Sequence, residues 1–270
     1  MMDKEKEKVR DFWNEASCGE ELYLKGEEEM QQFKNQMQER YHLEPFILNF
    51  ADFKNFKKKK VLEIGVGLGS DHQQFAEEGA ELSGIDLTER AIRYATQRLS
   101  LFGLKSNLAV GDAENLSFSD ETFDLVYSWG VIHHSPNTRK CVHEIFRVLK
   151  PNGSCKVMIY HKHSMVGYML WIRYALLTLK PFTSLETIYS KYLESPGTKA
   201  YSLQEAKQLF SAFKNVRIET ILGHGDLLTS QAGQRHKGFL LDLARKIYPR
   251  WLIRTFFKKH GLAMLIEADK

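Results

Sequence analysis

The stretch Val61-Leu62-Glu63-Ile64-Gly65-Val66-Gly67-Leu68-Gly69 decides the fold. An apolar strand runs directly into three alternating glycines, and a polar segment of helical character, Asp71 to Glu78, follows. Glycine at such a turn permits positive φ and lets a ligand lie against bare backbone. The amides at the end of the turn, with the helix N-terminus behind them, suit polar or anionic groups. Outward from this turn, strand-like runs at Val61 to Ile64, Glu81 to Ile85, Asn107 to Val110, Phe123 to Ser128 and Ser154 to Tyr160 alternate with helical segments at Glu89 to Phe102 and Arg139 to Leu149. That alternation predicts βαβ units, a parallel sheet and an α/β fold.

The glycine spacing narrows the ligand. A dinucleotide fingerprint reads G-x-G-x-x-G, whereas here the last of those positions is Ser70 and the spacing is G-x-G-x-G. Glu63, two positions before the first glycine, is expected to hydrogen-bond the loop and to favour a cationic ligand, which suits a sulfonium and an amino acid better than a pyrophosphate. Asp86 closes the second strand about 20 residues beyond the loop, where an acidic side chain accepts ribose hydroxyls. Asp112 follows the third strand and is placed to accept from an adenine amino group. Each acid alone would more often be a loop anchor or helix cap. Their order along the chain favours a nucleoside site at the carboxyl ends of neighbouring strands.

With these residues in view, the region from about 60 to 160 resembles a class I S-adenosylmethionine-dependent methyltransferase of the small-molecule kind called methyltransferase type 11. The matching stretches are VLEIGVGLG (61 to 69), GID (84 to 86), GDAENLSFSDETFDLVYSWGVIHH (111 to 134) and EIFRVLKPNG (144 to 153), together over a third of the chain. The resemblance implies S-adenosyl-L-methionine as cofactor and S-adenosyl-L-homocysteine as product. It places Glu63, Gly65, Gly67 and Gly69 along the methionine part, Asp86 and Leu87 at the ribose and adenine, Asp112 and Ala113 at the adenine edge, and Ser128 and Gly130 beneath the sulfonium. It further implies a Rossmann-like, seven-stranded, mostly parallel sheet with helices on both faces. A terminal antiparallel hairpin maps to Val216 to Leu222 and Leu262 to Glu267, with an unusually long insertion at 223–260 between its strands. The expected organisation is a helical lid at 1–56, the cofactor-binding core at 57–160, a helical substrate cover at 161–200 and the remainder of the sheet at 201–270.

Bulk composition sets bounds. Apolar residues at 43% and charged residues at 27% match ordinary globular chains and argue against both disorder and a membrane-spanning class. A net charge of +4 is too diffuse to imply nucleic acid. The three cysteines, Cys18, Cys141 and Cys155, lack CxxC spacing, so neither a disulfide framework nor a metal site is expected, and a reducing cytoplasm fits. Met1 to Lys8 alternates charge without the apolar stretch of a secretory signal. The apolar run Met165 to Leu179, interrupted by Arg173, falls short of the about 20 residues of a spanning helix.

A sulfonium methyl is already activated, so the protein chiefly holds a nucleophile in line and excludes water. A hydroxyl or ammonium acceptor needs a base, and histidine has the suitable pKa. Among His133, His134, His161 and His163, the expected base is His134 or His161, the others serving to shape loops. Cys18 is expected to be an idle thiol, while Arg40 and Tyr41 are placed to meet the cofactor carboxylate. An Asn/Asp-Pro-Pro-Tyr motif and a Pro-Cys nucleophile are both missing, which disfavours nucleic-acid bases as acceptors. Two aromatic segments, Met165 to Leu179 and the basic Phe239 to Lys259, suit a partly apolar small-molecule acceptor, and a basic amphipathic helix can also rest on anionic lipid. The oligomeric state is left open. The rival readings are an NAD-dependent oxidoreductase on the same sheet and a methyltransferase-like scaffold without turnover.

Overall fold

The computed structural model describes residues 3–20, 24–230 and 245–270. The glycine turn lies where the sheet reverses its winding. Strands β1 (Lys60–Ile64), β2 (Glu81–Asp86), β3 (Asn107–Val110), β4 (Phe123–Trp129), β5 (Leu149–Tyr160), β6 (Lys214–Ile221) and β7 (Ala263–Asp269) form one sheet in the order β3-β2-β1-β4-β5-β7-β6. The first five run parallel, while β7 pairs antiparallel with both β5 and β6. Chain growth in opposite directions from β1 leaves a crevice at the carboxyl ends of β1 and β4, the usual ligand position in an open α/β sheet.

Because both faces of the sheet are covered, its central strands read as near-continuous apolar runs. Successive side chains on a strand point to opposite faces. On β4, Val126 joins a layer with Val142, Ile145 and Val148 of the helix Thr138–Val148, whereas Leu125, Tyr127 and Trp129 pack with Ile47, Ala51 and Phe75 on the other side. Between strands the chain forms α4 (Ser70–Glu77), α5 (Glu89–Leu101) and α6 (Thr138–Val148). Ahead of the sheet stand α1 (Lys4–Glu15), α2 (Glu29–Leu43) and α3 (Phe46–Ala51), with Pro45 as the break between the last two.

The insert after β5 has its own small core of Leu170, Ala175, Ile188, Tyr189 and Leu193. It comprises α7 (Met165–Trp171), a π-helical turn (Ile172–Leu176) and α8 (Leu185–Tyr192). The apolar run is therefore not one straight helix to Leu179, which instead adopts a left-handed backbone conformation. Past the insert, α9 (Leu203–Leu209) precedes β6, and α10 (His224–Leu227) and α11 (Arg250–Phe256) lie between β6 and β7. Gly233 and residues 239–244 of the expected basic segment lie outside the described residues.

Ser202 three residues before Glu205 predicts a capping box opening a helix from Leu203 to Phe213. The box is present: Ser202 Oγ accepts from the Glu205 amide at 3.2 Å, and Glu205 Oε2 accepts from the Ser202 amide at 2.7 Å. The helix stops at Leu209 rather than Phe213, because Phe210 and Phe213 both turn into the core and β6 begins at Lys214. Ser202→Ala should lower unfolding free energy by about 1 kcal/mol, the usual worth of an N-cap. Urea denaturation monitored by circular dichroism checks this, and an unchanged midpoint would refute it.

Candidate active site

At the crevice lies a cavity of about 780 Å³. Gly65, Gly67 and Gly69 all sit at positive φ, 82°, 51° and 77°. A Cβ on Gly65 would lie 2.1 Å from Val131 Cγ2, so only glycine lets the loop after β4 close against the turn. Gly67 has no atom within 4 Å of where a Cβ would be, so its bare backbone borders open space in the cavity wall.

Asp86 is fixed opposite that backbone. One carboxyl oxygen accepts from the Gly67 amide at 3.2 Å, and the other accepts from the Thr88 amide at 3.0 Å and the Thr88 hydroxyl at 2.8 Å. Burial pushes its pKa up against these hydrogen bonds, leaving an acid poised to take further donors. Asp112 is held by the Glu114 amide at 2.9 Å on one oxygen, while Lys6 Nζ from α1 sits 2.6 Å from the other. Lys6 also pairs with Glu114 at 2.9 Å. The first helix thus closes over the nucleoside end by an ion pair with one of the acids expected to read adenine. Charge alternation in residues 3–8 gave no sign of it.

Glu63 lies on the wall, but its hydrogen bond runs to His72 Nδ1 at 2.8 Å rather than to the loop. Ser106 Oγ donates to the Leu82 carbonyl, so it must accept from His72 Nε2. His72 Nδ1 is then an acceptor, and the carboxyl proton belongs to Glu63. Burial drives both groups to this state, raising Glu63 well above the carboxylate range and lowering His72 to about 3. Arg40 lines the cavity and Tyr41 does not, and both are engaged by Asp71. Arg40 grips Asp71 bidentately at 3.0 and 2.6 Å, and Tyr41 and Tyr127 hydroxyls donate to the same carboxylate. Four donors on one acid satisfy a charge that would otherwise be costly to bury.

Of the residues expected to meet the cofactor, Glu63, Gly65, Gly67, Gly69, Asp86, Leu87, Asp112, Ala113 and Gly130 line this one cavity. Ser128 does not. Strand alternation puts it on the Val126 face, fully buried and away from the crevice, whereas Trp129 and Gly130 reach the wall.

The other end of the cavity is walled by Trp13, Phe46, Trp129, Leu170 and Leu193, with His134, Tyr160, Glu194 and Glu44 among its polar groups. Thr198 Oγ1 donates to the Ser195 carbonyl at 2.6 Å, so it can only accept from His134 Nδ1, 3.0 Å away. His134 therefore carries its proton on Nδ1, and its Nε2 lone pair points to Glu194 Oε2 at 3.3 Å. Tyr160 hydroxyl donates to that same oxygen at 2.7 Å. Two lone pairs facing each other call for a proton or a cation between them. Among the described residues, His133, His134 and Glu194 form one set able to hold a metal ion, with ligand atoms within 4.8 Å of one another.

His133 is buried between the His134 and Tyr160 rings, at centroid distances of 4.2 and 4.0 Å, and burial keeps it neutral. His161 is also off the wall: it is buried, its Nδ1 lies 3.3 Å from the Gly261 carbonyl, and its pKa is lowered to about 4. Cys18 is on the wall. Glu194 escaped sequence reading because only the fold of the insert brings it beneath β4.

Against known proteins, residues 62–157 match the family model described as a methyltransferase domain. Over 118 residues the chain is 36% identical to Phosphoethanolamine N-methyltransferase 2 of Caenorhabditis elegans, covering 43% of this chain and 26% of that protein. It is also 36% identical over 97 residues to the Ubiquinone biosynthesis O-methyltransferase of Azoarcus, covering 36% of this chain and 42% of that one. A chain from the complex of the Haloferax volcanii Trm112 methyltransferase activator superimposes with a TM-score of 0.59 at 17% identity, over 97% of this chain and 96% of its own. A SAM dependent methyltransferase from Archaeoglobus fulgidus superimposes at 0.55 with 16% identity, over 86% and 97%. The core at residues 62–157 is thus similar to a methyltransferase domain, and the chain shares the fold of these solved structures. The chain spans less than half the length of the curated relatives it matches.

The segment after α1 is tied down by Glu20, which accepts from Arg90 at 2.5 and 2.8 Å and from Tyr94 at 2.7 Å. Burial alone would raise this carboxyl, but the hydrogen bonds outweigh it and hold the pKa at about 2 rather than 4.5. A depressed folded-state pKa contributes stability above the unfolded value, which is lost as pH falls through the folded one. Between pH 4.5 and about 2, Glu20→Gln should therefore show a flatter fall in stability than the parent. Denaturant titrations at a series of pH values test it, and parallel pH profiles would count against the tether.

Proposed function

We propose that this chain transfers the methyl group of S-adenosyl-L-methionine to a partly apolar small molecule. The observation that carries the reading is the placement of the bare Gly67 backbone, Asp86 and Asp112 in the same cavity as His134 and Glu194. A bound cofactor would supply an already activated methyl group. Asp86 would hold its ribose hydroxyls and Asp112 its adenine amino group once Lys6 gives way, with Gly65, Gly67, Gly69, Glu63, Leu87, Ala113 and Gly130 as the surrounding wall.

At the far end, Trp13, Phe46 and Trp129 exclude water and orient the acceptor. Of the two histidines expected as base, His134 is favoured over His161 because it lines the cavity, with its Nε2 beside Glu194 Oε2 at 3.3 Å. It would take the proton that a hydroxyl or ammonium acceptor loses, and Glu194 would stabilise the imidazolium formed. The named relatives are an N-methyltransferase and an O-methyltransferase, so they leave the acceptor atom open. Nucleic acid is not proposed as an acceptor, and a cytoplasmic setting is proposed, in keeping with the free thiols Cys18, Cys141 and Cys155. No helix among the described residues is long and apolar enough to cross a membrane.

Calorimetry with S-adenosylhomocysteine and NAD side by side tests the cofactor. The former should bind in about the micromolar range, and Asp86→Ala should weaken it about a hundredfold, as expected for ~3 kcal/mol of lost charged hydrogen bonds. Binding of NAD instead would overturn the reading. Labelled cofactor incubated with cell extract should mark a small apolar product. In that assay His134→Ala should lower turnover about 10²-fold or more with cofactor affinity little changed. Cofactor binding without any labelled product would favour a scaffold.

A further inference from the structure

Beyond the cavity, the insert exposes apolar side chains that the sheet and its helices do not explain. Leu177, Leu179 and Phe182 are 71%, 90% and 99% exposed within six residues of chain, and Ile172 and Leu176 flank them half-exposed. Singly exposed apolar residues are ordinary, but a run of this kind marks an interaction site. Ile172, Arg173 and Leu177 also belong to the cavity wall, so the run stands at the cavity's mouth.

Charge selects the partner. From Ser164 to Leu185 the chain contains Arg173 and Lys180 and no acidic residue. The segment 245–260, which borders α7 through hydrogen bonds from Met165 to the His260 carbonyl and from His260 to the His163 carbonyl, carries six Lys and Arg, again with no Asp or Glu. Ile247 and Trp251 within it are 74% and 70% exposed. Apolar tips among cations and without anions match the surface of an anionic bilayer, where acyl chains receive the former and headgroups the latter.

We propose that the cavity mouth docks on an anionic lipid bilayer, with Leu177, Leu179 and Phe182 inserted and the basic 245–260 segment resting on the headgroups. The proposal deepens the methyl-transfer reading by giving a partly apolar acceptor a route from bilayer to cavity. The docking itself does not depend on turnover.

Sedimentation with vesicles tests it, using phosphatidylcholine alone and phosphatidylcholine with about one-third phosphatidylglycerol. The full chain should bind the anionic vesicles, bind neutral ones far less, and release with added salt. The triple variant Leu179→Glu, Phe182→Glu, Trp251→Glu, which leaves the wall residue Leu177 in place, should lose about tenfold or more of that affinity. Its calorimetric affinity for S-adenosylhomocysteine should match the parent's, since none of the three side chains lines the cavity. Absent vesicle binding by the parent, or equal binding by the triple variant, would overturn the proposal. So would a parent dimer that the triple variant dissociates while neither binds vesicles, because the patch would then belong to a second copy. Failure of cofactor binding in both proteins would instead sink the methyl-transfer reading and leave the docking result standing.

Discussion

The closure of the loop after β4 against the turn after β1 is the constraint on which the site depends. Gly65 must lack a side chain because Val131 fills the space a Cβ would need, and the turn must pass through three left-handed residues to start α4 where it does. This contact brings the ends of β1 and β4 together. It also aims the Gly67 amide at Asp86, so the second strand's acid is oriented by the first strand's turn. Local backbone conformation, packing and the geometry of a nucleoside site are here one requirement.

Around that rigid centre the cover is held largely by charges. Lys6 on Asp112 and Glu114, Glu20 on Arg90, and Arg40 on Asp71 join the N-terminal segments to the sheet and its helices. Lys6 and Glu114 are both buried and Asp71 is nearly inaccessible beneath a bidentate Arg40, whereas the Arg90 end of the Glu20 pair is partly accessible. Release at Lys6 frees Asp112, so opening the nucleoside end and uncovering its acid are the same event.

How much of this was legible in the sequence follows from the range of the interactions involved. The strands were readable because both-face burial writes continuous apolar runs, and the Ser202 box because it acts within four residues. Asp86 and Asp112 were readable because their places depend only on where a strand ends. Ser128 was misplaced by one step of the strand's two-residue period, which sends a side chain to the opposite layer. Arg40 and Tyr41 stood near the expected site, yet the buried Asp71 claims them both. Lys6 lies 106 residues from Asp112, and Glu194 lies 34 residues from Tyr160 and 60 from His134, and no local pattern encodes such meetings. The same holds for His161, which follows β5 as expected but faces the Gly261 carbonyl.

The central claim is that neighbouring strand ends form one nucleoside site under a lysine-latched helix. A crystal structure with bound S-adenosylhomocysteine tests it most directly. The expected result has the ribose hydroxyls on Asp86 and the adenine amino group at Asp112, with Lys6 moved off that carboxylate. A nucleoside bound elsewhere, or Lys6 still on Asp112 with the ligand in place, would contradict it.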